Sequence, residues 1–342
     1  MPRVSIIVPC RNEEQHLAAF AASVLAQKLP EGWTLEVVIA DGMSDDGTRA
    51  ALAELAARDP RVSFVDNPER IVSTGLNRAL GAATGEVVVR MDVHTEYSPD
   101  YVAECLAALQ VTGAENVGGP WRAVADPEGG PTQAAVAAAF QSRWVAGGAL
   151  SRQLDYDGPA DTVYLGAWPR RTFERFGGFD EALVRNQDDE HNLRIVKGGG
   201  RVWQESRIRS SYRPRATLGQ VFRQYLQYGY WKPFVMKKHG QPARLRQLVP
   251  ALFVAALALF ALIALVGWKF WPLATLLVAY AGAVGGMTVA VLRDAPQPLA
   301  VALRLPAVIA AYHVAYGIGT IVGAFDVLRG RSGRERFARL SR

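Results

Sequence analysis

Only two of the 342 residues are cysteine, Cys10 and Cys105. That excludes a disulfide framework and a thiolate metal site, which need repeated cysteine spacings, so both are expected as buried thiols. No Gly-x-Gly-x-x-Gly follows the first apolar run, Val4 to Pro9, which sets aside a nicotinamide-dependent dehydrogenase. A basic start leading into an apolar stretch and a small-residue cleavage site is also missing. No secretory leader is therefore expected, and the front of the chain is expected in the cytosol. Acidic residues are scarce in the last third: residues 241–342 hold three Asp or Glu against eleven Lys or Arg, while residues 1–240 hold 29 against 27. The basic surplus lies in an apolar region ending in Arg329, Arg331, Arg334, Arg336, Arg339 and Arg342. With no aromatic-rich basic patch elsewhere, it fits an anionic membrane surface rather than nucleic acid.

Through the first 125 residues, short β-branched runs alternate with longer amphipathic stretches. Val4 to Pro9, Leu35 to Ala40, Val62 to Val65 and Glu86 to Met91 read as strands, and Glu13 to Gln27, Asp46 to Arg58 and Val72 to Ala83 as helices. The alternation predicts an α/β domain, a mostly parallel sheet with flanking helices. Such sheets bind ligands at the carboxyl ends of their strands. The residues there are Cys10-Arg-Asn-Glu-Glu14, Asp41-Gly-Met-Ser-Asp-Asp-Gly47, Asp66-Asn67 and Asp92-Val-His94. Ordinary loops explain polar residues, but three strand ends that each present an acid exceed that need, and a nucleotide with a cation would use them.

From Asn116 to Tyr212 the pattern is less regular. Gly118-Gly119-Pro120, Gly129-Gly130-Pro131 and Gly147-Gly148 read as loops around an Ala-rich helix from Gln133 to Val145. This stretch is expected to complete the same site rather than form a separate domain. Thr217 to Lys238 carries Leu218, Val221, Phe222, Tyr225 and Leu226 at helical spacing, followed by Trp231 and several lysines. Two readings stand for it, core packing and an interfacial helix. Leu248 to Val266 and Phe270 to Leu292 are uncharged runs long enough to cross a bilayer.

A third apolar stretch, Leu305 to Phe325, contains Pro306 and His313. Three spans from a cytosolic start would put the arginine-rich end outside, against the bias of basic residues toward the cytosol. Two spans plus a re-entrant or interfacial third segment are therefore preferred to a third span. The expected organisation is a catalytic domain over 1–215, an interfacial helix or linker over 216–246, a membrane region over 247–328 and a basic cytosolic tail over 329–342.

A nucleotide diphosphate leaving group calls for a divalent cation held by oxygen or imidazole ligands. Asp92-Val-His94 at a strand end meets that need, and His94 favours Mn²⁺ over Mg²⁺; an ordinary loop histidine is the alternative. Transfer to a hydroxyl with inversion needs a carboxylate to take the acceptor proton. Asn186-Gln-Asp-Asp-Glu190 supplies three acids at a helix start. Acids there are also ordinary capping residues, but three adjacent ones repel, which leaves at least one for another task.

Five motifs follow in order: Val4-Ser-Ile-Ile-Val-Pro-Cys-Arg-Asn-Glu-Glu14, Ala40-Asp-Gly-Met-Ser-Asp-Asp-Gly-Thr48, Arg90-Met-Asp-Val-His94, Arg175-Phe-Gly-Gly-Phe-Asp-Glu181 and Gln187-Asp-Asp-Glu-His-Asn-Leu-Arg194. Over residues 3–215 the chain resembles the family 2 glycosyltransferases, inverting enzymes of the GT-A fold. The segment Asn67 to Asn77, the Asp-x-His and the apolar C-terminal third resemble the succinoglycan-type exopolysaccharide branch. The resemblance implies that Pro9, Asn12, Glu13, Asp41, Asn77 and Asp92 line the donor pocket, with Asp41 on the base, usually uracil. Asp92 and His94 would hold the metal, Mn²⁺ or Mg²⁺. Asp188 would be the general base, with Asp189 the other candidate because Gln187 replaces the usual acid before it. Glu190 is counted with this catalytic group and pairs with Arg194 one turn on. Tyr164, Trp168, Arg170 and Arg171 would meet the acceptor and diphosphate; the alternative places Trp168 in the core and the arginines at a solvated helix start.

These implications give a membrane-anchored, multi-pass glycosyltransferase of an inner (plasma) membrane, with its catalytic domain in the cytosol. It would move a sugar from a nucleotide-sugar donor, UDP-linked by preference, to a lipid-linked saccharide in exopolysaccharide or cell-surface glycan synthesis. Transfer to a polyprenyl phosphate itself is the enzymatic alternative. A non-catalytic nucleotide-sugar-binding membrane scaffold is the alternative of another class.

Overall fold

The computed structural model describes residues 1–145, 147–240 and 245–337. Arg339 and Arg342 of the expected basic tail, and residues 241–244 of the expected linker, lie outside the described residues. In chain order the elements are β1 (Arg3–Cys10), α1 (Glu14–Leu25), β2 (Thr34–Asp41), α2 (Thr48–Arg58), β3 (Val62–Asp66), α3 (Val72–Ala82), β4 (Val87–Arg90), β5 (Thr95–Tyr97), α4 (Tyr101–Thr112), β6 (Asn116–Gly119) and α5 (Gly130–Gln141). They continue with β7 (Gly158–Pro159), β8 (Tyr164–Pro169), α6 (Arg170–Phe176), α7 (Gln187–Lys197), β9 (Val202–Gln204), β10 (Ser210–Tyr212) and α8 (Leu218–His239). The last are α9 (Val249–Gly267), α10 (Trp271–Asp294), α11 (Leu299–Ala302), α12 (Leu305–Leu328) and α13 (Gly333–Arg336).

The chain forms two compact units, one of residues 1–122 and 150–212, the other of 123–149 and 213–342. The first holds an eight-stranded mixed sheet in the order β3-β2-β1-β4-β8-β6-β9-β7 and a separate β5–β10 ribbon. β1 lies between β2 and β4, parallel to both. Such a strand is covered on both faces and is mostly apolar. Val4, Ile6, Ile7 and Val8 are fully buried. Because successive side chains alternate faces, Ile6 and Val8 pack with Leu17, Phe20 and Val24 of α1. Ile7 packs on the other face with Leu76 and Ala79 of α3. Each such aliphatic side chain contributes about 1.5–3 kcal/mol.

Two sequence readings change here. Gly118 and Gly119, expected in a loop, lie in β6, and the pairing of β6 with β8 shifts register between Val117 and Gly119. A Cβ on Gly119 would collide with the Ile208 carbonyl, so glycine serves close backbone approach rather than a turn. Residues 123–149, read as part of a continuous 1–215 domain, group instead with the second unit. There Ala135, Val136 and Ala139 of α5 share a core with Leu305, Val308 and Ile309 of α12.

Among the described residues of the second unit, three helical segments are long and apolar enough to cross a membrane: Leu245–Gly267, Trp271–Asp294 and Leu299–Leu328. α12 runs unbroken from Leu305 to Leu328, which departs from the expected re-entrant segment. Pro306 does not break it because it occupies the first turn, where no helical N–H is lost. α8 begins at Thr217, whose side chain accepts from the Gln220 N–H at 3.3 Å. Its stripe is not left bare: Val221 and Tyr225 pack into the α12 core, with Tyr225 stacked on Tyr312 at 4.1 Å.

Candidate active site

The parallel register sets the carboxyl ends of β1, β2 and β3 side by side, with Cys10 opposite Asp41 and Asp41 opposite Asp66. Beyond Pro9 and Cys10 the chain turns at Asn12, whose φ of 55° suits asparagine better than most residues. The Asn12 N–H donates to Ser44 Oγ at 2.9 Å and its amide donates to Asp45 at 2.7 Å. Asp41 is fully buried. It accepts from Ser44 Oγ at 2.5 Å and from Arg49, which also reaches Asp66 at 2.9 Å. Arg49 therefore clips two strand ends together.

At the end of β4, Arg90 Nε and Nη2 donate to the two Asp92 oxygens at 2.9 and 2.8 Å. The third nitrogen, Nη1, lies 4.0 Å from Asp188 Oδ2 at the start of α7. Burial opposes the Arg90 charge, but Asp92, by charge and hydrogen bond, and then Asp188 outweigh it, and the guanidinium is held above its ordinary pKa. Tyr97 brackets Asp92: the Asp92 N–H donates to its hydroxyl at 2.6 Å, and the hydroxyl donates to the Asp92 carbonyl at 3.1 Å. Tyr164 is stacked 4.9 Å from Trp121 and shares a 2.8 Å hydrogen bond with Thr95. Burial first, and Asp92 second, push both phenols well above their usual range, so they act as neutral donors.

His94 leaves the same turn toward another partner: its Nε2 lies 2.8 Å from Glu13 Oε2. Glu13, almost fully buried, begins α1, and its N–H donates to Thr48 Oγ1 at 2.7 Å. His16 stands one turn along α1, its ring 4.8 Å from that of His94. The chemistry of this donor set, two imidazoles around a carboxylate, fits a divalent cation.

On α7, Asp188 accepts the Asp189 N–H at 2.9 Å and faces Arg90. Glu190 is fully buried in a two-point pair with Arg194, which also donates to the carbonyls of Phe176 and Gly178. That pair fixes the Gly177-Gly178-Phe179 loop against α7. Asn77 serves the same loop, donating to the Phe179 carbonyl at 2.8 Å and to Glu181 at 2.9 Å and accepting the Phe179 N–H.

Trp168, Arg170 and Arg171 do not join the acids. β8 runs antiparallel to β4, pairing Val87 with Pro169. This puts the end of β8 at the start of β4, the edge opposite Asp92. Trp168 is 1% exposed, packed against Phe173, Phe179 and His191. Arg170 donates to the Gly85 and Ala83 carbonyls at 2.6 and 2.7 Å. Arg171 is exposed in the first turn of α6. Tyr164, at the other end of β8, is the residue of this strand that reaches the site edge. Arg90 has no role in any of the sequence motifs, although its period-two spacing from Asp92 marks a shared face.

A mixed sheet of this order, with acids gathered at the carboxyl ends of its parallel strands, defines a glycosyltransferase of the GT-A fold. The chain belongs to glycosyl transferase family 2, whose model matches residues 5–164. It is 36% identical over 266 residues to the succinoglycan biosynthesis protein ExoA of Rhizobium meliloti, covering 77% of this chain and 78% of that one. A dolichyl N-acetyl-α-D-glucosaminyl phosphate 3-β-D-2,3-diacetamido-2,3-dideoxy-β-D-glucuronosyltransferase of Methanococcus voltae is 24% identical over 69% of this chain and 74% of that one. The fold is shared with the mannosyltransferase PcManGT of Pyrobaculum calidifontis, solved with GDP-Man and Mn²⁺. The TM-score is 0.59 at 22% identity, over 95% of this chain and 87% of that one.

Proposed function

We propose that the enzyme moves a sugar from a nucleotide-sugar donor, UDP-linked by preference, to a lipid-linked saccharide, with inversion, in the assembly of an exopolysaccharide or other cell-surface glycan. One observation carries this reading: Asp92 and Asp188, from elements far apart in sequence, face one buried guanidinium, Arg90. An acid at the donor edge and an acid poised for an acceptor are thereby brought together. The relationship to the succinoglycan biosynthesis protein supports the glycan class. The name of the Methanococcus relative supports an acceptor that already carries a sugar on a lipid phosphate.

In this mechanism Asp188 takes the acceptor hydroxyl proton as that oxygen attacks the anomeric carbon, on the face opposite the departing nucleoside diphosphate. Asp188 is the preferred base because it faces Arg90. The edge formed by Pro9, Asn12 and Asp41 takes the nucleoside. His94 is the cation ligand from the Asp92-Val-His94 turn, with Asp92 beside it on the donor. A bound Mn²⁺ or Mg²⁺ supplies charge neutralisation for the diphosphate.

The test is nucleoside diphosphate release by detergent-solubilised protein with Mn²⁺ and a membrane lipid extract, across UDP-glucose, UDP-galactose, UDP-N-acetylglucosamine and GDP-mannose. Turnover of one donor is expected. Asp188→Asn should lower it by about 10²–10⁴-fold with donor affinity unchanged, and Asp189→Asn should lower it far less. Full transfer in Asp188→Asn would point to a lipid phosphate acceptor, which arrives ionised and needs no base. No turnover of any donor would overturn the reading in favour of the scaffold.

The apolar helices point to a membrane enzyme with two crossings, α9 and α10. Their 18-residue apolar cores are only 6% and 11% buried within the protein, against 44% for the third segment. α12 meets the start of α9, where Gly317 lies under Pro250. It meets the second half of α10 through Val284 and Val291. The Pro250 and Val291 contacts lie at the open end of the α9–α10 hairpin, and those of Val284 and of Tyr280, 3.2 Å from His313, lie at the middle of α10, all away from the exposed Trp268 and Trp271 at its tip. An interfacial α12 returns the chain to the side from which it entered, which is the cytosolic side by the charge rule.

A further inference from the structure

The Asp-x-His turn sends its two functional side chains to different places. Both Asp92 oxygens accept from the fork of Arg90, a cation that opposes a second positive charge on the same carboxylate. His94 turns to Glu13, and His16 joins them: one ligand atom from each of Glu13, His16 and His94 lies within 4.8 Å of the others. Glu13 is only 4% exposed while both histidines are exposed. A buried carboxylate is thus flanked by two imidazoles that can still reorient. Their origins make the grouping a product of the fold, since Glu13 and His16 are one turn apart at the start of α1 and His94 follows β4.

We propose that Glu13, His16 and His94 form a three-ligand site for a first-row transition-metal dication such as Mn²⁺ or Co²⁺, and that it binds without nucleotide. It rests on the reading of His94 as the cation ligand above, and it replaces Asp92 by Glu13 and His16 in the protein's ligand set. Mg²⁺ and Ca²⁺ prefer all-oxygen shells, whereas the affinity of a site that offers imidazole rises from Mn²⁺ to Co²⁺. Three protein ligands leave the remaining positions to the oxygens of a diphosphate. His16 therefore makes the site selective and able to load before the donor arrives.

The experiment is calorimetric titration of the full-length, detergent-solubilised protein, free of nucleotide, with MnCl₂, CoCl₂ and MgCl₂, with the Co²⁺ visible spectrum as a second readout. One equivalent of Mn²⁺ or Co²⁺ should bind, and Mg²⁺ much more weakly. Loss of an outer partner of a metal ligand costs 10–100-fold in affinity, so His16→Ala should cost at least about tenfold for Mn²⁺ and should shift the Co²⁺ bands. Because His16 is exposed, that variant is expected to fold, and far-ultraviolet dichroism checks it. Glu13→Gln should behave alike, and Asp92→Asn should keep the affinity. Unchanged Mn²⁺ affinity in His16→Ala, or its loss in a folded Asp92→Asn, would overturn the inference and leave the transferase reading standing. Intact three-ligand binding with no turnover of any donor would instead sink the transferase reading alone.

Discussion

Arg90 is the residue on which the site turns. Its buried guanidinium grips both Asp92 oxygens and faces Asp188 from 4.0 Å, so removing it frees Asp92 and leaves two neighbouring carboxylates to repel each other. Lysine keeps the charge but cannot grip both Asp92 oxygens while presenting a third nitrogen to Asp188. Arg90→Lys is therefore expected to fold and to lose about a hundredfold in turnover through misplacement of the acids, read by donor turnover beside a thermal unfolding curve. Wild-type turnover in this variant would show that the bridge is incidental. Asp41 and Asp92 stand out in the sequence because they close or follow strands, where polar residues at a sheet edge are the signal, whereas Asp188 stands out only as one of three acids at a helix start. Arg90 is legible only in part, because its spacing from Asp92 marks a shared face while nothing in the sequence sets Asp188 opposite it. Trp168, Arg170 and Arg171 read as acceptor contacts because the direction of β8 is set by long-range pairing.

Among the elements, the parallel half of the sheet was legible from the alternation of β-branched runs and helices. β6, β8 and β9 were not, because β6 and β9 have only four and three residues and β6 and β8 carry glycine. Gly119 illustrates why: its lack of a side chain reads as a turn, yet it admits the Ile208 backbone. β2 carries a tie to its neighbours that is open to a pH test. Glu36 accepts from Ser5 Oγ at 2.5 Å, from the Thr84 hydroxyl at 2.9 Å and from the Gly85 N–H at 2.9 Å. Its desolvation, which alone would raise the pKa, is outweighed by these hydrogen bonds, led by that from Ser5, and the pKa is lowered. A carboxylate lowered on folding adds stability that is present above its unfolded pKa and lost as the pH falls through the folded value. Glu36→Gln should therefore lower the unfolding midpoint at pH 7, by about 1–3 kcal/mol in stability. The gap to wild type should close well below pH 4.5. A gap that stays constant through that range would mean that the carboxylate charge is not what ties the strands.

At the scale of the whole chain, charge and packing give one answer about the bilayer. Lys237, Lys238, Arg246, Arg293, Arg304, Arg329 and Arg331 all fall outside the α9–α10 hairpin tip, where Lys269 is the single basic residue. Two crossings put the seven together on one side, whereas a third would separate the last two from the rest. The contacts of α12 agree, because Gly319 and Gly323 on its second half receive the backbone of α8 around Leu226 and Tyr230. α8 carries Arg223, Lys232, Lys237 and Lys238, and such a helix belongs at an interface rather than along a lipid-facing span. The end of α12 is held there as well, with Asp326 accepting from Tyr230 at 2.9 Å and from Arg336 at 2.9 Å. Both native cysteines are buried, so they leave a quiet background for labelling introduced ones. In sealed inverted membrane vesicles, a membrane-impermeant maleimide should label Ala19→Cys in the catalytic unit and Ser332→Cys after α12. Gly267→Cys at the hairpin tip should react only after detergent is added. Labelling of Ser332→Cys only after detergent would establish three crossings and put the arginine-rich end on the far side.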